Sequence, residues 1–302
     1  MDLSASDGNW AVEDVPLVGR DMAGTQCPVA TSDQSESDPE NDLMSIEAIG
    51  EDLQTKVLEL KGALHKSEPH VNVRFLMETQ GDVLACVAND LSTLPTNQIC
   101  LLLKSFLAEK SNRMLQCDLA VLFRHLVFAH LGQPHATVGA TILSYGAELA
   151  SRWSRLFVEN ILLPSLKNLG GTLETFVKKS LKAIDGRESL GALSLLLKSL
   201  AEEIENIPSE KMDRVLSLAE VLVVNCEDFN GEIFSRLSKV FHTHEGMLVK
   251  NRVFAKILLD IVKRTKHLEA HVALVGEILS GMTHPMRNII QKLIDTKGSH
   301  EN

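Results

Sequence analysis

The chain has 302 residues, 44% of them hydrophobic, and a formal net charge of −10, which is apolar content enough for a buried core and excludes a chain that is disordered throughout. Residues 1–42 hold ten Asp or Glu against the single base Arg20, so the remainder carries 30 acidic and 29 basic residues. A body so nearly neutral lacks the general pull toward nucleic acid or anionic membrane that clustered Lys and Arg provide, and no apolar run reaches the roughly 18 residues of a membrane-spanning helix.

Residues 1–42 are rich in Ser, Asp, Gly and Glu and show no sustained period. Such a segment cannot bury enough surface to offset its ordering entropy, so a disordered acidic tail is expected. Its one apolar knot, Trp10, Val12, Val15, Leu17 and Val18, reads as residue hydrophobes of a linker, with a linear docking motif as the sharper reading. Ser32, Ser35 and Ser37 lie among acids, where added phosphate charge in a solvated tail costs little. From Leu43 the pattern turns helical. Ile46, Ile49, Leu53, Val57, Leu60 and Leu64 recur at steps of three and four, which predicts a leading helix over 43–67. Its three heptads suit a helix packed on the following domain better than a coiled-coil seam.

Over 68–298 the punctuation is regular. Helix-starting signals fall at Pro95, Pro134, Gly171-Thr172, Pro208, Gly246 and Pro285, at intervals of 39, 37, 37, 38 and 39 residues. Two helical patterns lie between marks. Ile99, Leu102, Leu103 and Phe106 precede Leu115, Leu119, Leu122, Phe123 and Leu126; further on, Met212, Val215, Leu218 and Leu222 precede Phe229, Ile233, Phe234 and Leu237. Sustained alternation is missing, so strands are not expected. The fold class predicted is all-α: an α-solenoid of about five two-helix repeats, HEAT/ARM-like in plan but matching no tetratricopeptide or ankyrin consensus.

No catalytic or cofactor signature emerges. The chain has no Gly-x-Gly-x-x-Gly, no phosphate loop and no nucleophile elbow. His267 and His271 are four apart, yet Glu269 is not placed as a zincin helix requires. His242 and His244 read as a helix ending, and His125 and His130 as packed side chains. The five cysteines are odd in number and contain no Cys-x-x-Cys pair, which suits thiols in a soluble intracellular protein. Cofactors and metals are therefore not expected, and function is expected to be binding without catalysis. One charge cluster stands out: Lys250, Arg252, Lys256, Lys263, Arg264 and Lys266 are opposed only by Asp260. It reads first as a solvated helix face and second as a docking face for an acidic partner, and the lack of interleaved aromatics disfavours nucleic acid.

The run Asn251-Arg252-Val253-Phe254-Ala255-Lys256-Ile257-Leu258-Leu259-Asp260-Ile261-Val262-Lys263, followed by His271 and by Thr283-His284-Pro285-Met286-Arg287-Asn288, resembles the last repeats of the Fanconi anaemia group E family. Thr141-Ile142-Leu143-Ser144-Tyr145 through Trp153 to Leu163-Pro164 resembles that family's middle, so that the likeness spans about residues 73–296. The resemblance implies a non-catalytic adaptor of the nuclear Fanconi core ubiquitin ligase, bridging the group C subunit to the D2 substrate in interstrand crosslink repair, without direct contact to nucleic acid or membrane. It implies a substrate-facing role for Arg252, Lys256, Met286, Arg287 and Asn288, although Pro285 and Met286 stand where the family has an aromatic residue. Trp153, Leu156 and Phe157 are the candidate anchors for the other partner, provided that they are exposed; otherwise they are core. The alternative is an unrelated HEAT-like binding scaffold in the cytoplasm.

Overall fold

The computed structural model describes residues 50–68, 71–109, 114–202 and 208–299. The acidic segment 1–42, its Trp10 knot, Cys27 and the first residues of the leading helix lie outside the described residues. Among those described every regular element is a helix. In chain order they are α1 (Glu51–His65), α2 (Arg74–Glu78), α3 (Gly81–Ser92), α4 (Thr96–Ala108), α5 (116–131), α6 (Ala140–Arg152), α7 (154–168), α8 (Gly171–Leu181), α9 (Gly186–Glu202), α10 (Ser209–Asn225), α11 (Gly231–Thr243), α12 (Glu245–Leu248), α13 (Arg252–Arg264), α14 (Val272–Gly281) and α15 (Met286–Ser299). A 3-10 turn, Leu268–His271, leads into α14; α5 and α7 each contain a π-helical stretch, Phe123–Phe128 and Val158–Leu162, and these two stretches pack on each other.

The helices sort into two layers, an arrangement consistent with an α-solenoid. In the first, α1, α4, α6, α8, α10, α13 and α15 each pack on the next; in the second, α3, α5, α7, α9, α11 and α14 do the same. Aromatic pairs join the layers. Phe157 of α7 stacks on Phe176 of α8 with ring centroids 6.2 Å apart, and Phe241 of α11 stacks on Phe254 of α13 at 5.7 Å. All four rings are buried to within 1% of their surface, and each stacked pair adds about 1 kcal/mol beyond its area. Gly146 is where α6 and α8 meet: a Cβ there would come within 2.5 Å of the Phe176 ring and the Ser180 hydroxyl, so only glycine admits that ring.

The four positions predicted to start helices at Pro95, Gly171, Pro208 and Pro285 do so within one residue, and all four open first-layer helices. The other two differ. Pro134 is followed by an extended stretch and α6 begins at Ala140, after Gly139; Gly246 lies inside the one-turn α12, and α13 begins at Arg252. First-layer starts at 96, 140, 171, 209, 252 and 286 are therefore spaced 44, 31, 38, 43 and 34 residues apart, which is less even than the punctuation. The true start of α13 is set by Asn251, whose side chain accepts from the Phe254 N–H at 3.0 Å; Asn230 does the same for α11 through Ile233 at 3.3 Å. Each such cap is worth about 1 kcal/mol.

Successive first-layer helices are tied together at their carboxyl ends. The last carbonyls of an α-helix have no partner within it, and here a side chain from the end of the next helix in the layer supplies one. Arg152 of α6 donates to Leu107 O at 3.0 Å; Asn225 of α10 donates to Leu181 O and Ile184 O, both at 3.1 Å. Arg264 of α13 donates to the carbonyls of Val223, Val224 and Cys226 at 3.2, 2.8 and 3.0 Å, and Lys297 of α15 donates to those of Val262, Lys263 and Thr265 at 3.1, 3.0 and 2.8 Å. A cation there also meets the negative end of the helix dipole.

Candidate protein-binding surfaces

The carboxyl-terminal candidates lie on two neighbouring first-layer helices. Amphipathicity orients α13: Phe254, Ile257, Leu258, Ile261 and Val262 are buried, which turns Arg252, Lys256 and Lys263 to solvent. Lys256 reaches across to α10 and pairs with Glu220, and that hydrogen bond and charge raise its pKa. Lys250, Arg252 and Lys263 form no ion pair among the described residues. On α15, Arg287 is exposed and its guanidinium donates to Met282 O at 3.3 Å, while Asn288 is exposed beside it. Met286 is half-buried against the core, with its N–H donating to His284 Nδ1 at 3.2 Å. Ile289, one residue beyond the predicted set, is 54% exposed on the same helix.

One member of the basic cluster is otherwise engaged. Arg264 caps α10 as described; the backbone N–H of Lys266 donates to Asp228 at 3.0 Å, a bond that with the Phe229 N–H holds that carboxyl below the usual range, and the Lys266 residue is exposed. What stays without an ion pair among the described residues is a strip of Lys250, Arg252, Lys263 and Lys266 with Arg287 on the adjoining helix, a surface suited to acidic side chains of a partner.

The second set of candidates divides. Phe157 is fully buried against Phe176 and has no surface to offer a partner, because its helix turns it to the interlayer core; the expectation of an anchor there is corrected. Trp153 is half-buried, with its ring 6.0 Å from Phe106 and 6.1 Å, edge-on, from Phe123. Leu156 is half-buried one turn on. Trp153 and Leu156 line a depression of about 510 Å³ with Gln116, Arg155, Asp185 and Glu188. It shares Ser154, Arg155 and Glu188 with a second depression of about 460 Å³, floored by Leu190, Gly191 and Leu195 of α9 and walled by Glu232 and Arg236 of α11. The two form one groove across the amino-terminal ends of α5, α7, α9 and α11. The α9 part was not anticipated from sequence. Its signal was the small residues Gly191, Ala192 and Ser194 interrupting a leucine-rich helix, which leave a trough between flanking leucines.

The histidines are placed by packing. His130 is wholly buried: its Nδ1–H donates to Ser92 O at 2.9 Å, its Nε2 accepts from Thr96 Oγ1 at 3.1 Å, and burial lowers its pKa. His244 donates through Nε2 to Leu200 O at 2.9 Å, and His271 stacks on Phe234 at 4.8 Å. His267 lies 3.5 Å from Glu269 at the surface. Among the described residues no group of three His, Cys, Asp or Glu side chains has metal-binding geometry, and no helix is long and apolar enough to cross a membrane. Cys86 and Cys226 are buried free thiols, Cys100 is half-buried and Cys117 exposed; burial pushes the Cys226 thiol up to about 11, against the nearby Arg264 charge.

No protein-family model matches this chain, and no curated protein matches it.

Proposed function

We propose that the chain is a non-catalytic adaptor that holds two proteins at once, built on about five HEAT/ARM-like helical repeats. The observation that carries the reading is the presence of two separate surfaces: the basic strip on α13 and α15, and the groove across α5, α7, α9 and α11. A stack of paired helices offers long faces whose contacts are set repeat by repeat, which suits bridging. In the more specific form, supported by the resemblance of 251–263 and 283–288 to the group E family, the complex is the nuclear Fanconi core ubiquitin ligase. The strip then faces the D2 substrate through Arg252, Lys256, Met286, Arg287 and Asn288, and the Trp153–Leu156 end of the groove contributes to holding the group C subunit. In this role the chain touches neither nucleic acid nor membrane.

The test is affinity purification of the tagged chain from crosslinker-treated cells, with mass spectrometry of what accompanies it. Co-recovery of Fanconi core subunits and the D2 protein is expected. Recovery of an unrelated cytoplasmic assembly in their place would remove the Fanconi assignment and leave a scaffold of the alternative kind.

A further inference from the structure

The groove's charges specify what it accepts. Three arginines stand on its walls, and each is tied to a carboxylate four residues away on its own helix: Arg152 to Glu148, Arg155 to Glu159, and Arg236 to Glu232. Arg236 also donates to Ser194 O across the α9–α11 contact. These pairs are close to neutral as units. At the start of α9, Glu188 lines both depressions and Asp185 lines the one beside Trp153 and Leu156. Asp185 Oδ1 caps the helix by accepting from the Glu188 N–H at 2.9 Å, and Glu188 Oε2 accepts from the Ser154 hydroxyl at 2.6 Å. Neither carboxylate pairs with a cation among the described residues, and both residues are exposed and line the groove. Apolar side chains flank them on both sides, Trp153 and Leu156 toward α5, and Leu190 and Leu195 toward α11.

The groove crosses four successive second-layer helices. Three interhelix steps of about 9 Å give a run of about 27 Å, the span of about eight extended residues at about 3.3 Å each. The backbone of Gly191 lies open on its floor, leaving room for a chain to approach closely.

We propose that this groove binds an extended segment of a partner protein, one that sets a Lys or Arg on Asp185 and Glu188 and seats an apolar side chain on either side, against Trp153–Leu156 and against Leu190–Leu195. The inference rests on the reading of the chain as a protein-binding scaffold, and not on the Fanconi assignment. Charge decides the class of occupant: the groove's uncompensated charges are negative, whereas the strip on α13 and α15 is positive, so the two surfaces select segments of opposite sign and cannot exchange ligands.

The experiment is selection of random dodecapeptides displayed on phage against the purified full chain, followed by fluorescence-polarisation titration of synthetic copies of the enriched peptides. Enriched sequences are expected to carry one or two Lys or Arg between apolar residues. The double variant Asp185→Asn, Glu188→Gln keeps an acceptor for the helix cap and for the Ser154 hydrogen bond, so its melting curve should fall only slightly, through the loss of negative charge at the helix amino end, while binding weakens about tenfold or more, the loss expected for a charge-assisted contact. Leu190→Asp, on the other side of Glu188, should weaken it as much. Enrichment of acidic or uncharged peptides, affinities unmoved by these variants, or no enrichment at all would overturn the proposal. So would self-association of the chain abolished by the double variant, which would make the occupant a second copy. Failure of the peptide selection leaves the co-purification result untouched, and failure of the co-purification leaves the selection standing.

Discussion

The Arg264 guanidinium caps the end of α10, whereas the basic cluster in which it falls reads from sequence first as a solvated helix face and second as a docking face. Replacing it with Met keeps the aliphatic stem and its packing but removes the guanidinium. One nitrogen, Nη1, serves the carbonyls of Val223, Val224 and Cys226 at 2.8–3.2 Å. The three bonds share one donor atom and do not add. A hydrogen bond to a charged group contributes about 1.5–3 kcal/mol, and a cation at a helix carboxyl end adds about 0.3–1 kcal/mol. Val224 is 54% exposed, so water can reach its carbonyl once the cap is gone, and this brings the expected loss to the lower part of the range. We expect Arg264→Met to destabilise the protein by about 2 kcal/mol and Arg264→Lys by about half of that, since an ammonium keeps the charge without the planar fork. Urea unfolding followed by circular dichroism at matched slope reads the difference. A loss below about 0.5 kcal/mol for Arg264→Met, within the range of ordinary surface substitutions, would refute the capping role and return Arg264 to the basic strip.

Further predictions concern packing, pH, reactivity and binding. Gly146→Ala forces a Cβ to 2.5 Å from the Phe176 ring and should cost about 1–3 kcal/mol by overpacking, readable as a lowered melting temperature. His130 is neutral when folded and its pKa is lowered by burial, so its contribution is intact above its unfolded value of about 6.5 and is lost as pH falls from there toward the lowered folded value. Stability should thus fall as pH drops below about 6.5, and His130→Gln should flatten that limb in pH-dependent unfolding. Cys226, with its thiol pushed up to about 11, should react with iodoacetamide far more slowly at pH 7.5 than the exposed Cys117, measured by peptide mass spectrometry. On the proposed assignment, charge reversal at Arg252 and Lys256 should weaken binding of the D2 protein in a pull-down, with only a modest fall in melting temperature from the lost Lys256–Glu220 pair, because both side chains are exposed; unchanged binding would remove the strip's proposed role.

Helical pairing was legible in the apolar spacing, because burying one stripe per helix repeats the same three-and-four step wherever a two-layer stack forms. The starts at Pro95, Gly171, Pro208 and Pro285 were legible for a local reason, the fit of Pro and Gly to helix ends. Gly246 misled because the chain around it makes a one-turn helix held by buried His244 against Leu200, and the better signal was Asn251 three residues before Phe254. Phe157 and Trp153 fall on the same helical pattern, and only the neighbouring layer decides that one is core and the other lines a groove. The interhelix caps were beyond reach for the same reason: Arg264 serves carbonyls 38–41 residues away, a pairing fixed by which helices are neighbours and not by any local motif.

The central claim is that one chain bridges two proteins through distinct surfaces, and reconstitution tests it most directly. With purified group C subunit immobilised, D2 protein should be retained only when this chain is bound first, and the Arg252→Glu, Lys256→Glu variant should keep the first contact and lose the second. Failure of the chain to bind either protein, or binding of both partners through competition for one surface, would contradict the account.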